Sequence, residues 1–246
     1  MHIKGKTVLI TGAARRLGAA AAESLAAEGC SILLHYHTAE KQAMETAGHI
    51  EAAGSSVYLL RQDLSQPDSA SELFEKIKSL EIIPDILINS AGSYPGSDFN
   101  SLQWTDTEAA FLLNAYTPFA LAREFSRFDE AACILNILDA RMVDYDRQHL
   151  AYHLSKRLLH DLTRILSIEL APRIRVNGIA PGIILPDRPD DPEVLEKYRR
   201  GNLLERLGSV DDYLRTVHFL LASDFITGQI IFVDGGRHLR GRVYGS

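Results

Sequence analysis

Short apolar runs alternate with longer amphipathic or alanine-rich stretches along the chain, and this alternation constrains the fold more than any other feature. A short apolar run bounded by turn residues is typical of a buried strand, whereas the longer stretches have the length and pattern of helices. Strands that alternate with helices favour βαβ units and a parallel sheet covered by helices on both faces. The predicted strands cover residues 7–10, 31–35, 57–60, 86–89, 133–138, 175–179 and 229–233.

The stretches between these strands are predicted to be helical. The longest, 105–128, contains Pro118, which is expected to divide it into two pieces. No internal repeat, low-complexity tract or linker rich in Pro, Gly or Ser divides the chain, so residues 1–246 are predicted to form one α/β domain. The other predicted helices cover residues 17–28, 40–53, 69–80, 149–171 and 211–222.

Composition narrows the possible partners. The net charge of −6 and the pI near 5.8 provide no basic surface for nucleic acid or an anionic membrane, so neither partner is expected. Cys30 and Cys133 each begin an apolar run, which predicts buried, reduced thiols and a cytoplasmic location. No apolar run has the length of a membrane span, and the start of the chain has no signal-peptide pattern.

A phosphate-binding loop is predicted directly after the first strand, in residues 11–18 (TGAARRLG). A small-residue turn that leads into a helix presents free backbone N–H groups and the positive end of the helix dipole to an anion. Gly12 permits the tight turn and Gly18 the close approach of helix to strand. Arg16 occupies the place of the usual middle glycine, and Arg15 and Leu17 flank it. Alternatively, the loop is an ordinary βα turn, and Arg16 only reaches solvent.

The end of the second strand indicates which nicotinamide cofactor would fit this loop. It reads His35-Tyr36-His37, where a site for NAD would carry an acid for the ribose hydroxyls. Without that acid, and with His35 and His37 on one side of the strand near Arg15, a 2′-phosphate is favoured. NADPH is therefore predicted over NADH. The alternative is that both histidines are ordinary polar residues at a strand end.

Two further strand ends carry residues that could contact the cofactor. Asp63 follows the third strand, where its carboxylate could accept a hydrogen bond from an adenine amino group, although a turn residue would look the same. After the fourth strand, small residues would let a flat ring lie against the backbone. The predicted contacts are Asp63, Leu64, Asn89, Ala91 and Gly92.

The segment 135–156 is the predicted catalytic segment. Tyr152 and Lys156 lie four residues apart on a predicted helix and so share one face, where the ammonium could lower the pKa of the phenol. Asp139 stands at the end of the fifth strand. Asp139 is predicted to be catalytic. Alternatively, it caps the next turn or forms an ion pair with Arg141 or Arg147.

Residues 183–206 are predicted to be a substrate lid, because this Pro- and Asp-rich insertion follows a strand at the carboxyl edge of the sheet. Asp190 or Asp191 is expected to cap a helix there. A surface excursion without function is the alternative.

His149 and His153 are four apart on one helix, but no third ligand accompanies them and no metal is predicted. The tail 237–242 is either a contributor to an active site or a solvated basic end.

These motifs together resemble the short-chain dehydrogenase/reductase family over nearly the whole chain. The resemblance implies a Rossmann-type, doubly wound parallel sheet, a nicotinamide cofactor that Pro181 and Gly182 help to bind, and a dimer or tetramer formed through helices 105–128 and 149–171. It also implies a catalytic set of Asn114, Tyr152 and Lys156. The remaining residues that carry the resemblance are Thr11, Gly12, Gly18, Asp63, Leu64, Asn89–Gly92 (NSAG), Arg175–Asn177 (RVN) and Val233–Gly236 (VDGG).

One departure points to a branch of that family. Where the family carries a serine, this chain has Asp139, and with Arg16 and the histidines of the second strand this is similar to the pteridine and dihydromonapterin reductases. The closing DGGRHLR motif, residues 234–240, is similar to that branch as well.

The branch implies a pterin substrate of the dihydromonapterin, dihydrobiopterin or dihydrofolate type, reduced with NADPH. Tyr152 and Asp139 would supply the proton, Lys156 would hold the nicotinamide ribose, and Asn114 would support a water. Arg16 and Tyr94 would contact the substrate, although Tyr94 could equally pack on the lid. The alternatives are a carbonyl reductase or alcohol dehydrogenase of the same fold, and a non-catalytic protein that binds NADP.

Overall fold

The computed structural model describes residues 2–240 and contains one parallel sheet of seven strands in the order β3-β2-β1-β4-β5-β6-β7. All of the pairings between these strands are parallel. This order confirms the predicted α/β, Rossmann-type doubly wound fold. The strands are β1 (Thr7–Thr11), β2 (Ser31–Tyr36), β3 (Val57–Arg61), β4 (Ile86–Asn89), β5 (Cys133–Ile137), β6 (Arg175–Pro181) and β7 (Ile230–Val233).

The helices lie on both faces of the sheet, and most begin and end within two residues of the predicted bounds. They are α1 (Arg16–Ala27), α2 (Glu40–Ala52), α3 (Ser69–Ser79), α4 (Trp104–Phe111), a π-helix (Leu112–Tyr116), α5 (Thr117–Phe125), a 3₁₀-helix (Ala140–Val143), α6 (Leu150–Glu169), α7 (Pro192–Arg200), α8 (Val210–Ala222) and α9 (Arg237–Arg240).

Each strand supplies side chains to two cores, as its alternation requires. In β1, Val8 and Ile10 pack into the core beneath α1, α2 and α8, whereas Leu9 packs into the core beneath α3 and α5. All three side chains are fully buried. Since these cores cover opposite faces, β1 is held in the middle of the molecule and its carboxyl end is fixed in place.

The order of the strands reverses at β1, which pairs with β2 on one side and with β4 on the other. Thr11, at the end of β1, lies opposite Asn89, at the end of β4. Loops that leave two neighbouring strands in opposite directions open a crevice at this edge of the sheet. The candidate site lies at this edge.

The helix predicted over 105–128 is divided, as Pro118 predicted, but the division has an unexpected form. The chain runs from α4 through the π-helix into α5, and Pro118 lies in the first turn of α5. A π-turn holds one more residue than an α-turn, so it shifts the register of the side chains that follow. Asn114 lies within it and is fully buried.

The predicted lid segment, 183–206, contains α7. Asp191 caps this helix, because its carboxylate accepts hydrogen bonds from the backbone N–H groups of Glu193 and Val194 at 3.1 and 3.2 Å. The prediction of a cap at Asp190 or Asp191 is therefore confirmed at Asp191. Among the described residues, no helix is long and apolar enough to cross a membrane.

Candidate active site

The loop after β1 is shaped by glycines that leave space at the sheet edge. Gly12 has φ +66°, and a Cβ built on it would lie 2.8 Å from Ala91 Cα. A Cβ on Gly18 would lie 2.3 Å from the carbonyl oxygen of Gly12. Neither position accepts a side chain, so the loop, the start of α1 and the loop after β4 are in close contact. Helix α1 begins directly after this loop, and the N-terminal end of a helix favours an anion.

Thr11 and His35 hold this loop in place. Thr11 Oγ1 accepts hydrogen bonds from Ser90 N at 3.0 Å and Ala91 N at 3.1 Å. His35 Nδ1 accepts from Gly12 N at 3.1 Å, and His35 Nε2 donates to the carbonyl oxygen of Gln62 at 3.0 Å. The imidazole is therefore neutral, in the tautomer protonated at Nε2. Burial lowers the pKa of His35 to about 4, which agrees with that assignment.

His35 therefore does not lie where a cationic contact to a 2′-phosphate would require it. Both of its ring nitrogens are engaged, and the side chain is buried, as is that of Tyr36. Of the two histidines expected to favour a 2′-phosphate, His35 instead supports the loop after β1. His37 is half exposed, and its Nδ1 lies 3.6 Å from Asp63 Oδ1.

Asp63 and Leu64 occupy the turn after β3. Asp63 Oδ1 accepts from Ser65 N at 2.9 Å and from Ser65 Oγ at 2.7 Å, and these hydrogen bonds lower the pKa of Asp63. Its second oxygen has no hydrogen-bond partner among the described residues, and the side chain is partly exposed. Leu64 is buried and its carbonyl oxygen accepts from Thr117 Oγ1 at 3.0 Å. The turn is therefore anchored to the first turn of α5.

Arg16 connects the loop after β1 with the predicted lid segment. Its Nη2 donates to the carbonyl oxygen of Leu185 at 2.7 Å, across the mouth of the crevice. Its φ of 56° places it in the left-handed region that favours glycine. Arg15 is extended and exposed, and Leu17 packs against the core beneath α1. The structure thus brings the cationic side of the loop toward the predicted lid.

The loop after β4 is equally constrained. Asn89 Nδ2 donates to Asn136 Oδ1 at 2.8 Å, while its buried Oδ1 has no partner among the described residues. A Cβ on Gly92 would lie 2.9 Å from Asn114 Oδ1 and 3.9 Å from Lys156 Nζ. At the end of β6, Pro181 and Gly182 face the start of the last loop, since a Cβ on Gly182 would lie 2.8 Å from Asp234 Cα. These loops therefore expose backbone rather than side chains to the crevice.

Asn114 connects two elements of the predicted catalytic region. Its Oδ1 accepts from Ser93 N at 3.0 Å, and its Nδ2 donates to the carbonyl oxygen of Ser93 and to Ser155 Oγ, both at 3.1 Å. The amide thus binds the loop after β4 to helix α6. Because both ends of the amide are engaged, the side chain positions the loop, and the expected support of a water by Asn114 stays a prediction.

Tyr152 and Asp139, both predicted to be catalytic, are joined by a hydrogen bond. Tyr152 Oη donates to Asp139 Oδ2 at 2.8 Å, and Asp139 Oδ1 accepts from Arg141 N at 2.7 Å. Asp139 therefore caps the 3₁₀-helix and holds the tyrosine as well, so its two interpretations from sequence are compatible. The predicted lowering of the tyrosine pKa is wrong for this state. Burial and the neighbouring Asp139 carboxylate raise the pKa of Tyr152 well above its usual range.

Lys156 explains that difference. Its Nζ donates to the carbonyl oxygen of Ile137 at 2.7 Å and lies 5.8 Å from the centroid of the Tyr152 ring. No hydrogen bond joins the ammonium to the phenolic oxygen within the described residues, although Lys156 shares a helix face with Tyr152 as predicted. Burial lowers the pKa of Lys156 to about 8. The lysine is a buried cation at the floor of the crevice.

Tyr94 lies beside this pair. The edge of its ring meets the Tyr152 ring with centroids 4.6 Å apart, and its face stacks on the His149 imidazole at 3.8 Å. The Tyr94 hydroxyl is joined to Arg141 and Asp146 by hydrogen bonds. Tyr94 is partly exposed, so its ring forms a wall of the crevice next to the catalytic hydroxyl.

Three residues of this wall were not assigned to the site from sequence. The sequence indicates Arg141 only as a partner of Asp139. It indicates His149 only as one of two histidines without a third metal ligand, and it carries no prediction for Asp146. Their signal is a carboxylate placed between two basic residues inside the catalytic segment. His153, the other half of that pair, is buried, and neither of its ring nitrogens has a partner in the described part of the chain.

The basic tail was considered as a contributor to the site. Its described part, α9, contacts the 3₁₀-helix that follows Asp139. His238 Nδ1 pairs with Asp234 Oδ2 at 2.9 Å, and Arg240 Nη1 donates to the carbonyl oxygen of Asn202 at 2.9 Å. The tail therefore packs on the end of the predicted lid segment. The rest of the predicted tail, 241–242, lies outside the described residues.

Comparison with known proteins agrees with this arrangement. A family model described as "Enoyl-(Acyl carrier protein) reductase", of the short-chain dehydrogenase type, matches residues 12–238. Pteridine reductase 1 of Leishmania tarentolae is 34% identical over 278 residues, covering 94% of this chain and 96% of the relative. A dihydromonapterin reductase of Escherichia coli is 30% identical over 240 residues, covering 95% and 97%.

Two solved structures are similar over their whole length. FolM alternative dihydrofolate reductase 1 from Brucella canis, in complex with NADP, has a TM-score of 0.87 and 30% identity, covering 99% of this chain and 98% of that one. The promiscuous reductase LugOII, which catalyses a keto-reduction, has a TM-score of 0.88 and 30% identity, covering 97% and 100%. The chain therefore belongs to the short-chain dehydrogenase/reductase family.

Proposed function

We propose that this protein is an NADPH-dependent reductase that reduces the C=N bond of a pterin. The observation that carries the proposal is the hydrogen bond of 2.8 Å from Tyr152 Oη to Asp139 Oδ2. Reduction of a C=N bond places hydride on carbon and leaves a strongly basic nitrogen that must gain a proton. A protonated tyrosine next to a carboxylate can deliver and recover that proton. Relatives named as pteridine and dihydromonapterin reductases support the choice of substrate.

The cofactor would occupy the crevice between the loops after β1 and β4. Its fit rests on the glycine-shaped backbone at Gly12, Gly18 and Gly92, and on the unpartnered Oδ1 of Asn89. When bound, NADPH supplies the hydride. The residues proposed to hold it are Gly12, Arg15, Arg16, Leu17 and Gly18 at the phosphates, His37 with Arg15 at the 2′-phosphate, Asp63 and Leu64 at the adenine, Asn89, Ala91, Gly92 and Lys156 at the riboses, and Pro181 with Gly182 at the nicotinamide.

The raised pKa of Tyr152 suits the direction of reduction. A phenol that burial and Asp139 keep protonated is an acid that is ready at neutral pH, and the nitrogen left by hydride addition is basic enough to take its proton. Asp139 is half-buried, so solvent can restore the proton through its carboxylate. Arg16 and Tyr94 would contact the two sides of the ring. Residues 183–206 would close over it as a lid.

A second function is favoured by one finding. LugOII, whose fold matches as well as that of the alternative dihydrofolate reductase, catalyses a keto-reduction. In a carbonyl reductase, however, the group beside the tyrosine should donate a hydrogen bond to the carbonyl oxygen. Here it is the Asp139 carboxylate, which accepts from Tyr152 and from Arg141 N. The pterin is therefore preferred.

The test is NADPH oxidation with dihydromonapterin, dihydrobiopterin and dihydrofolate beside a panel of ketones and quinones. Turnover of at least one pterin is expected, and turnover of ketones alone would refute the proposal. In the variant Asp139→Ser, pterin turnover should fall by about a hundredfold because the proton path is broken, whereas NADPH affinity should change little. Asp161→Ser, an exposed carboxylate on the same helix as Tyr152, is the matched control. Unchanged pterin turnover in Asp139→Ser would leave Asp139 with a structural role alone.

A further inference from the structure

Asp146 gathers three side chains at one edge of the crevice, and we refer to Tyr94, Arg141, Asp146 and His149 as the rim cluster. Asp146 Oδ2 accepts from Arg141 Nη1 at 2.9 Å, from Tyr94 Oη at 3.1 Å and from His149 Nδ1 at 3.1 Å. Its Oδ1 accepts from Gln148 N at 3.0 Å. Although burial opposes this, the hydrogen bonds from Gln148 and His149 lower the pKa of Asp146. The carboxylate is thus a fixed anion whose accepting capacity is used within the cluster.

Arg141 and His149 also have hydrogen-bonding groups without a partner in the described part of the chain. Arg141 uses Nη1 for Tyr94 and Asp146, while its Nε and Nη2 have no partner among residues 2–240. The same holds for His149 Nε2. The side chains of Arg141 and His149 are 29% and 21% exposed, so both reach the edge of the crevice. The cluster thus presents a guanidinium edge and an imidazole nitrogen that nothing in the proposed reaction uses.

These unused groups lie next to the reacting atoms. Tyr94 joins the cluster to Tyr152 by the contact of 4.6 Å between their rings, and Arg141 N donates to the carboxylate of Asp139 that binds the Tyr152 hydroxyl. In a 6-substituted dihydropterin, the nitrogen that receives the proton is bonded to the carbon that carries the side chain. A substrate placed for proton transfer from Tyr152 therefore has its side chain close to this part of the wall.

We infer that Arg141, oriented by Asp146, binds the hydroxyl groups of the substrate's side chain and selects pterins with a short polyhydroxylated substituent. The inference rests on the proposed pterin reduction. Asp146 already neutralises the guanidinium, so the pair offers directed hydrogen bonds to neutral hydroxyls rather than net charge to a carboxylate. The stacked rings of Tyr94 and His149 add an apolar surface against which the carbon chain can pack.

The experiment compares two substrates whose side chains have the same three carbons and of which only one carries these hydroxyls, namely 7,8-dihydromonapterin and 6-propyl-7,8-dihydropterin. In wild-type protein, KM should be lower for dihydromonapterin. The variant Arg141→Met keeps the apolar stem and should raise that KM by about tenfold, the loss expected for one hydrogen bond to a charged group, with kcat nearly unchanged. KM for the propyl compound should not change. Arg141→Lys, which keeps the charge with fewer directed donors, should recover part of the loss.

Two further variants separate this role from a structural one. Asp146→Asn should shift KM for dihydromonapterin in the same direction, because Arg141 loses its orienting anion. Arg147→Met removes an exposed arginine from the same loop and should match wild type on both substrates. Thermal unfolding checks that each variant is folded.

An equal loss on both substrates in Arg141→Met, or no loss on either, would overturn the inference while pterin reduction stood. Equal KM values for the two substrates in the wild type would overturn it as well. Failure of the wild type to reduce any pterin would overturn the inference together with the proposed function.

Discussion

Burial sets the protonation state of the candidate site residue by residue. The pKa of Tyr152 is raised by burial and by Asp139, while burial lowers the pKa of Lys156 to about 8 and that of His35 to about 4. Near neutral pH the site therefore holds a neutral phenol, a neutral imidazole and an ammonium close to its titration point. Lys156 is consequently the group whose charge changes first as the pH rises.

The lowered pKa of Lys156 predicts how cofactor use depends on pH. Below about pH 8 the ammonium is charged and can donate to ribose hydroxyls, whereas above it the proton is lost. For a free enzyme, kcat/KM for NADPH should therefore be level up to about pH 8 and fall by about tenfold per unit above it. Initial rates between pH 7 and 10 measure this profile.

Two variants check the assignment of that titration. Lys156→Gln should have a low value of kcat/KM for NADPH without the break, and Lys78→Gln, at an exposed lysine, should keep the break. A wild-type profile that stays level to pH 10 would contradict the lowered pKa.

Spacing along the sequence located these residues but not their hydrogen bonds. The interval of four placed Tyr152 and Lys156 on one helix face, which the structure bears out. It could not indicate that Lys156 would donate to the carbonyl oxygen of Ile137, a partner from the neighbouring strand. His35 shows the same limit, because its partner Gly12 N comes from a loop that only the folded sheet brings near.

At the scale of elements, the contact between the phosphate loop and the lid segment is the feature to test. Arg16 donates a hydrogen bond to the carbonyl oxygen of Leu185, and its own backbone is left-handed. That conformation costs a residue other than glycine about 1 kcal/mol. The variant Arg16→Gly removes that strain together with an exposed hydrogen bond of similar worth, so the free energy of unfolding should change by less than about 1 kcal/mol.

The predicted lid segment should nevertheless become easier to open in that variant. Limited proteolysis at low protease concentration should cleave within 183–206 several times faster in Arg16→Gly than in wild type. Arg15→Ala, at the neighbouring exposed arginine, should leave the cleavage rate unchanged. Equal rates in all three proteins would show that the contact does not restrain the segment.

Capping and proline signals predicted the elements well where they act locally. The cap at Asp191 and the position of Pro118 in the first turn of α5 both depend on neighbours in the sequence. The π-helix at Leu112–Tyr116 could not be predicted in this way, because what secures Asn114 within it is contact with Ser93 and Ser155, from a distant loop and a distant helix.

At the scale of the whole molecule, helix α6 keeps an apolar face uncovered. Leu154, Leu158, Ile165 and Ile168 are exposed, and Trp104 is exposed on α4, which packs against α6. Residues at these intervals lie along one side of a helix. The face belongs to the two helices through which the resemblance implied a dimer or tetramer, so we expect a homo-oligomer in solution.

Sedimentation tests this expectation. The wild type should sediment as a dimer or tetramer of the 27.3 kDa chain, and the double variant Ile165→Asp/Ile168→Asp should shift toward monomer, because it places two charges in the apolar contact. Met44→Asp, an exposed apolar residue on α2, should not alter the mass. A monomeric wild type would leave the exposed face without this explanation.

The topology could be predicted because it depends on a repeated local pattern. Each apolar run became a strand of the one parallel sheet, and the loop after β1 indicated the edge where the site lies. The rim cluster could not be predicted, since Tyr94 and Asp146 meet only when the loops after β4 and β5 are folded side by side.

The π-helix also makes the position of Asn114 sensitive to the length of the chain. The five residues of this turn replace about four residues of an α-helix. The connection between α4 and α5 therefore contains one extra residue. Deleting Leu113, the residue between Leu112 and Asn114, would let an unbroken α-helix form and would change the angular position of Asn114 relative to α4. Such a deletion would preserve or increase helix content, yet it would withdraw the amide from Ser93 and Ser155. A shorter, more regular helix would thus separate the loop after β4 from α6.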